Sequence, residues 1–213
     1  MTTVMILGAH GATAQIVTKQ LLAETSDHLI LYLRQAQRLA ALQSNPQVTL
    51  VDGDVLDTAH LTQAMMPADI VYSNVGGANL AQQTRSILQA MQQAKKQRLI
   101  FMSALGAHHE VPGDFGQWNE HAIAAYLPGF RESAQMLAQA PVTYTEVRPA
   151  WLTNQNEVAY ETTKLGEPFK GTEVSRASVA DYIVRVIKQP TIDQNASIGL
   201  NKPNTAGPKP AWL

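Results

Sequence analysis

The chain has 213 residues, of which 45% are hydrophobic and 15% charged, with a formal net charge of −1; such a chain can bury a full core and is not disordered. Without a basic excess it lacks the long-range phosphate attraction that drives non-specific nucleic-acid binding. No cysteine is present, which excludes disulfides, zinc–thiolate sites and thiol nucleophiles together.

Short apolar runs alternate with longer segments of helical pattern, the signature of repeated βα units feeding a parallel sheet. The expected strands are Val4–Leu7, Leu29–Leu33, Val48–Val51, Ile70–Val75, Arg98–Met102 and Val142–Val147. Several are nearly continuous in Val, Ile and Leu, as strands covered by helices on both faces should be. Between them fall expected helices over Ala12–Ala23, Ala36–Gln43, Thr58–Met65, Leu80–Lys95 and Trp118–Ala138. A last helix, Val179–Ile187, follows an S-x-x-D capping pattern of Ser178 and Asp181 and stops before Pro190. Residues 104–117 and 150–174 fit no regular βα unit and should overhang the carboxyl edge of the sheet, where ligands bind in such folds. The tail, residues 201–213, is rich in Pro and Gly and reads as an extended strap packed on the domain or on a partner subunit. The N-terminus enters a strand directly, and no apolar run nears the roughly 20 residues that span a bilayer. The expectation is one cytoplasmic domain with a small-molecule substrate, monomeric or homodimeric, with neither nucleic acid nor membrane as partner.

At the first strand-to-helix passage stands Gly8-Ala9-His10-Gly11-Ala12-Thr13-Ala14. Gly8 permits the tight turn, Gly11 lets backbone approach a pyrophosphate, and Ala14 lets the helix pack on the strand. The N–H groups and dipole at the helix start suit phosphates. A purely structural turn is the alternative, but the motif closes the first strand of a βαβ pattern, the context that a dinucleotide site requires. The sequence thus predicts a doubly wound α/β fold of the Rossmann type with a dinucleotide cofactor. An acidic residue after the second strand would favour NAD(H); here that strand ends on Arg34, with Arg38 one turn later. Two guanidinium forks suit the 2′-phosphate of NADP(H). Otherwise both are solvated surface arginines.

Further segments follow in order: Gly53-Asp54-Val55-Leu56-Asp57, Ser73-Asn74-Val75-Gly76-Gly77, Met102-Ser103-Ala104-Leu105-Gly106, Val147-Arg148-Pro149-Ala150-Trp151 and Ser175-Arg176-Ala177-Ser178-Val179-Ala180-Asp181. With the glycine loop and Arg34, they resemble the atypical short-chain dehydrogenase/reductase family in its NmrA-like, NAD(P)H-binding branch, which includes flavin and biliverdin reductase-type proteins. The resemblance spans nearly the whole chain. It implies that Asp54 and Val55 flank the adenine and that Asn74, Val75 and Gly76 line the ribose and pyrophosphate. It also implies that Ser103 approaches the nicotinamide end and that Pro149, Ala150 and Trp151 pass beside that ring. Asp54 could instead cap the next helix, and Gly76-Gly77 could be a plain strand exit.

The family's usual Tyr-x-x-x-Lys pair, in which Lys lowers the Tyr pKa, is incomplete. Tyr126 takes the tyrosine position and, with Ser103, is the candidate catalytic pair, but Phe130 stands where lysine belongs and Arg131 comes one residue late. Pro128 and Gly129 should break the helix there, swinging Arg131 towards the cofactor or Tyr126 out of position. Tyr126 is therefore either the proton donor or a pocket-lining residue. His108-His109-Glu110 lacks metal-ligand spacing and reads as loop residues near the substrate. Phe115, Trp118, Tyr126 and Trp151 form either an aromatic wall for a flat substrate or part of the core. Two functions stay open: a reductase passing hydride from NADPH to a flat quinone- or flavin-like or a carbonyl acceptor, and a non-catalytic sensor of NAD(P)(H).

Overall fold

The computed structural model describes residues 1–213. β1 (Thr3–Leu7), β2 (His28–Leu33), β3 (Val48–Asp52), β4 (Ile70–Ser73), β5 (Arg98–Met102) and β6 (Thr143–Pro149) lie side by side in parallel, in the order β3-β2-β1-β4-β5-β6. β1 sits between β2 and β4, so the chain winds outward in both directions from it. This is the doubly wound order, whose crevice opens at the carboxyl ends beside β1. β1, β2, β4 and β5 are almost wholly buried, as their unalternating apolar sequences require. On one face α1 (Ala12–Glu24) and α6 (Arg176–Lys188) pack together; on the other lie α2 (Thr58–Met65), α3 (Leu80–Gln93) and α5 (Leu127–Gln139). Each face has its own apolar core, one holding Ile6, Val17, Leu31 and Ile183, the other Met5, Leu61, Ile87 and Phe101. No helix is long and apolar enough to cross a membrane.

Several elements differ from the sequence reading. The segment over Ala36–Gln43 is a 3-10 helix, Ala36–Leu42, kinked at Leu39. Gln35 before it is left-handed at φ 59°, and the Asp52 carboxylate accepts from the N–H groups of Gln35 and Ala36. Seven residues pinned in this way are too few to propagate an α-helix. The expected Trp118–Ala138 helix is two: α4 (Gly113–Ala122) and α5, separated at 123–126. Pro128 falls in the first turn of α5, where its missing N–H costs nothing, so it starts a helix and the break expected at 128–129 falls just before it, at 123–126. α6 begins three residues early, because Ser175 and not Ser178 is its N-cap; Ser175 accepts from the Ser178 N–H. Ser178 is buried behind it, with its hydroxyl on the carbonyls of Glu157 and Ala159.

The irregular segments hold hidden order. β7 (Trp151–Thr153) and β9 (Glu173–Ser175) form a small parallel pair, while β8 (Glu161–Lys164) and the unanticipated β10 (Ala196–Asn201) extend the main sheet beyond β6. β10 runs parallel to β6, and β8 closes the edge antiparallel to it. The tail packs on this domain. Thr172 donates its N–H and hydroxyl to the Thr205 carbonyl, and the Ala211 N–H bonds Glu173.

Candidate functional site

β1 ends on Gly8, whose φ of +72° only glycine adopts at little cost and whose added Cβ would press on the Asn74 carbonyl at 3.0 Å. Gly11 caps α1 with no side chain of its own, which leaves the first-turn N–H groups without a side-chain partner. A Cβ at Gly11 would lie 2.1 Å from Asn74 Nδ2. The Asn74 amide is itself set by the hydroxyl of buried Tyr72, which donates to Oδ1 at 2.8 Å. The loops after β1 and β4 are therefore fitted to each other across the crevice.

Here a cleft of about 340 Å³ opens, lined by Gly8, His10, Gly11, Arg34, Arg38, Asp54, Val55, Asn74, Val75 and Gly76. These ten are residues that the sequence nominated for the cofactor. Tyr32, Leu33, Gly53, Asn79 and Gln83 also line it, and sequence reasoning missed them. Gln83 donates to the Gly76 carbonyl and to Asn79 Oδ1, which fixes the loop between β4 and α3; the spacing of Asn79 and Gln83, one helical turn, was the available signal. Tyr32 donates to the Asp54 carbonyl at 3.0 Å. Burial, with the carboxylates of Asp57, Asp54 and Asp52, pushes its pKa up to about 12, so it remains a donor at neutral pH. Two cations face the cleft. Arg38 donates to His10 Nδ1 at 2.6 Å, and Arg34 lies 3.8 Å from the exposed Asp54 carboxylate. Ala12, Thr13 and Ala14 form the first turn of α1; Ala12 is exposed, while Thr13 and Ala14 are buried.

Ser103, Pro149, Ala150 and Trp151 lie apart from this cleft, over the carboxyl ends of β5 and β6. Ser103 is buried and its hydroxyl has no hydrogen-bond partner; the same holds for Glu146 Oε1 nearby. Tyr126 is on the surface, 49% exposed at the start of α5, while Phe130 packs against the core. Arg131 does not turn to the cofactor. It donates to the Gly106 carbonyl and pairs with Glu120, because the break precedes α5 and leaves Arg131 on an unbroken helix.

The residues expected to meet substrate at 108–110 instead anchor their loop. His108 Nε2 bonds Glu146 at 2.6 Å, and Glu110 meets the fully buried Arg148 while accepting the N–H groups of Gly106 and His108. Burial alone would raise the Glu146 pKa. The hydrogen bond and charge of His108, with the hydrogen bond from the Ser197 hydroxyl, outweigh it and hold the carboxyl below its ordinary value. Only His109, at φ 56°, faces outward. No three His, Cys, Asp or Glu side chains converge to hold a metal.

The aromatic residues form a row. Phe115 stacks on Trp118 at 6.1 Å, and Trp118 meets Trp151 at 4.7 Å. The Trp151 indole donates to Asn119 Oδ1, which places it. Tyr126 takes no part, and Trp212 of the tail joins unexpectedly, 6.4 Å from Trp151.

The sequence pattern of the NAD(P)H-binding family matches residues 8–190. The chain belongs to that family. Among curated proteins none matches it. Among solved structures, a Rossmann-fold NAD(P)-binding family protein from Shigella flexneri is 37% identical, with a TM-score of 0.84 and all of both chains covered. A short-chain dehydrogenase/reductase from Veillonella parvula in complex with NADP is 29% identical, with a TM-score of 0.91 over 99% of each chain. The anaerobillin reductase ChuY of Escherichia coli O157:H7 shares the fold at 21% identity and a TM-score of 0.82, over 97% of this chain and all of its own. The family likeness expected from the sequence therefore holds. The cleft fits its cofactor: Gly8 and Gly11 line it without side chains, and the start of α1, with no side-chain cap, opens on it.

Proposed function

We propose that the protein is an NADPH-dependent reductase that passes hydride to a flat quinone- or flavin-like acceptor. The observation that carries this reading is the aromatic row at the carboxyl edge of β5 and β6, beside the cleft on the same edge of the sheet. Arg34 and Arg38 support the choice of NADP(H) over NAD(H), since each offers charge-assisted bonds to a 2′-phosphate that NAD(H) lacks. The NADP held by the Veillonella protein agrees with it. When bound, the cofactor supplies the hydride; the protein's own work is alignment and exclusion of water. Gly8, Gly11 and the start of α1 would seat the pyrophosphate, Asn74, Val75 and Gly76 would border the ribose, and the loop after β6 would flank the nicotinamide.

Quinone and flavin acceptors can take their proton from solvent, so this chemistry tolerates a surface tyrosine and a phenylalanine in the lysine position. Steady-state NADPH oxidation against quinones, flavins and aldehydes tests the reading. Turnover highest with planar acceptors is the expected result. Tight NADPH binding with no turnover on any acceptor would favour a cofactor sensor, the reading to which Tyr126 and Phe130 lend weight.

A further inference from the structure

The chain has three tryptophans, and all three stand in one row: Trp118 from α4, Trp151 from β7 and Trp212 from the tail. Three separate excursions from the carboxyl edge, after β5, after β6 and after β10, thus converge. The sheet order fixes what lies beneath them. The cleft occupies the carboxyl ends of β1, β2, β3 and β4, with the arginines at its β2 end, so a dinucleotide laid across β1 must point its reactive end towards β5 and β6. The row stands on that side.

Trp212 is held there by construction. The Ala211 N–H bonds Glu173, Lys202 pairs with Glu157, and Thr205 binds Thr172. Gly171 leaves the space that the strap needs, since a Cβ there would lie 2.5 Å from Thr205 Oγ1. Yet Trp212, so carefully placed, is 51% exposed. A fixed, half-bare aromatic face on an aromatic row is a stacking surface for a planar π-system.

We propose that Trp212 is the outer wall of the acceptor site and contacts a planar, multi-ring acceptor through its exposed face. This rests on the reductase reading above for the identity of the ligand as an acceptor. Tryptophan fluorescence tests it directly, because every tryptophan is in the row. With NADP+ saturating, FMN is titrated into wild type, Trp212→Ala and Trp212→Phe, and quenching is followed. Saturable quenching is expected, with a Kd raised about three- to tenfold in Trp212→Ala and largely recovered in Trp212→Phe, while NADP+ affinity is unchanged. Equal FMN affinity in wild type and Trp212→Ala would overturn the proposal. If wild type reduces a single-ring quinone with NADPH but FMN gives no saturable quenching, the wall is refuted and the reductase stands. If FMN binding depends on Trp212 but no acceptor is ever reduced, the wall stands and the reductase falls.

Discussion

At the scale of one side chain, the proposed contact of Arg34 with the 2′-phosphate makes a first prediction. A charge-assisted hydrogen bond is worth about 1.5–3 kcal/mol where water is excluded. The Arg34 side chain is 79% exposed, so screening trims that figure and Arg34→Ala should weaken NADPH binding by roughly tenfold. NADH affinity should hardly move. Calorimetric titration of both cofactors checks this, and equal losses for the two would remove the 2′-phosphate role. Gly11 makes a second prediction, with a mechanism that sequence alone did not contain. The glycine was expected to make room for pyrophosphate; it also makes room for the Asn74 amide, which a Cβ would meet at 2.1 Å. Gly11→Val should therefore displace Asn74 from Tyr72 and cut NADPH affinity by well over about tenfold while circular dichroism stays native. Unchanged affinity in the folded variant would refute it. Ten cleft residues were legible because nine follow directly on a strand end and Arg38 lies one turn beyond one, where spacing from the apolar run fixes position. Tyr32 was not, since inside a buried strand its ring looks like core, and only the missing Cβ of Gly53, 2.3 Å from its hydroxyl, admits it to the cleft.

At the scale of elements, β1 to β6 and the helices α1, α2 and α3 could be read from apolar runs, because parallel strands covered by helices must be built from such runs. The remaining strands escaped for stated reasons. β7 and β9 have three residues each, β8 is polar, and β10 contains Gly199, where the Phe169 ring fills the place of a Cβ at 2.6 Å. The loop 104–112 escaped in another way: His108 and Glu110 read as loop residues near the substrate, but they are turned inward to pair with Glu146 and Arg148 on β6. That pairing sets a pH dependence. Glu146 has a lowered pKa in the folded state, so its contribution is fully present above the unfolded carboxyl's value of about 4.3 and is lost as pH falls through the folded value. Glu146→Gln should destabilise the protein at neutral pH, and its deficit relative to wild type should shrink as pH falls below about 4.3. Urea unfolding of both proteins across that range measures it; a deficit constant with pH would show that the carboxylate's charge is not what holds the loop.

At the scale of the whole molecule, the question is whether the fold keeps an acid–base machine or only an alignment machine. The break between α4 and α5 leaves Tyr126 half in solvent, the following helix spends Arg131 on Gly106 and Glu120, and Phe130 goes to the core. Arg131 is thereby kept from the phenol, and the tyrosine–lysine arrangement of a positioned general acid, worth about 10²–10⁴ in rate, is incomplete. On the proposed reading the protein would work by hydride alignment, between the cleft on one half of the carboxyl edge and the aromatic row on the other. Tyr126→Phe should then lower turnover on the best planar acceptor by less than about tenfold, with NADPH affinity unchanged. Steady-state kinetics on the two proteins decide it. A loss of about three orders of magnitude at unchanged cofactor affinity would mean that the 123–126 break closes over the acceptor and restores Tyr126 as the acid.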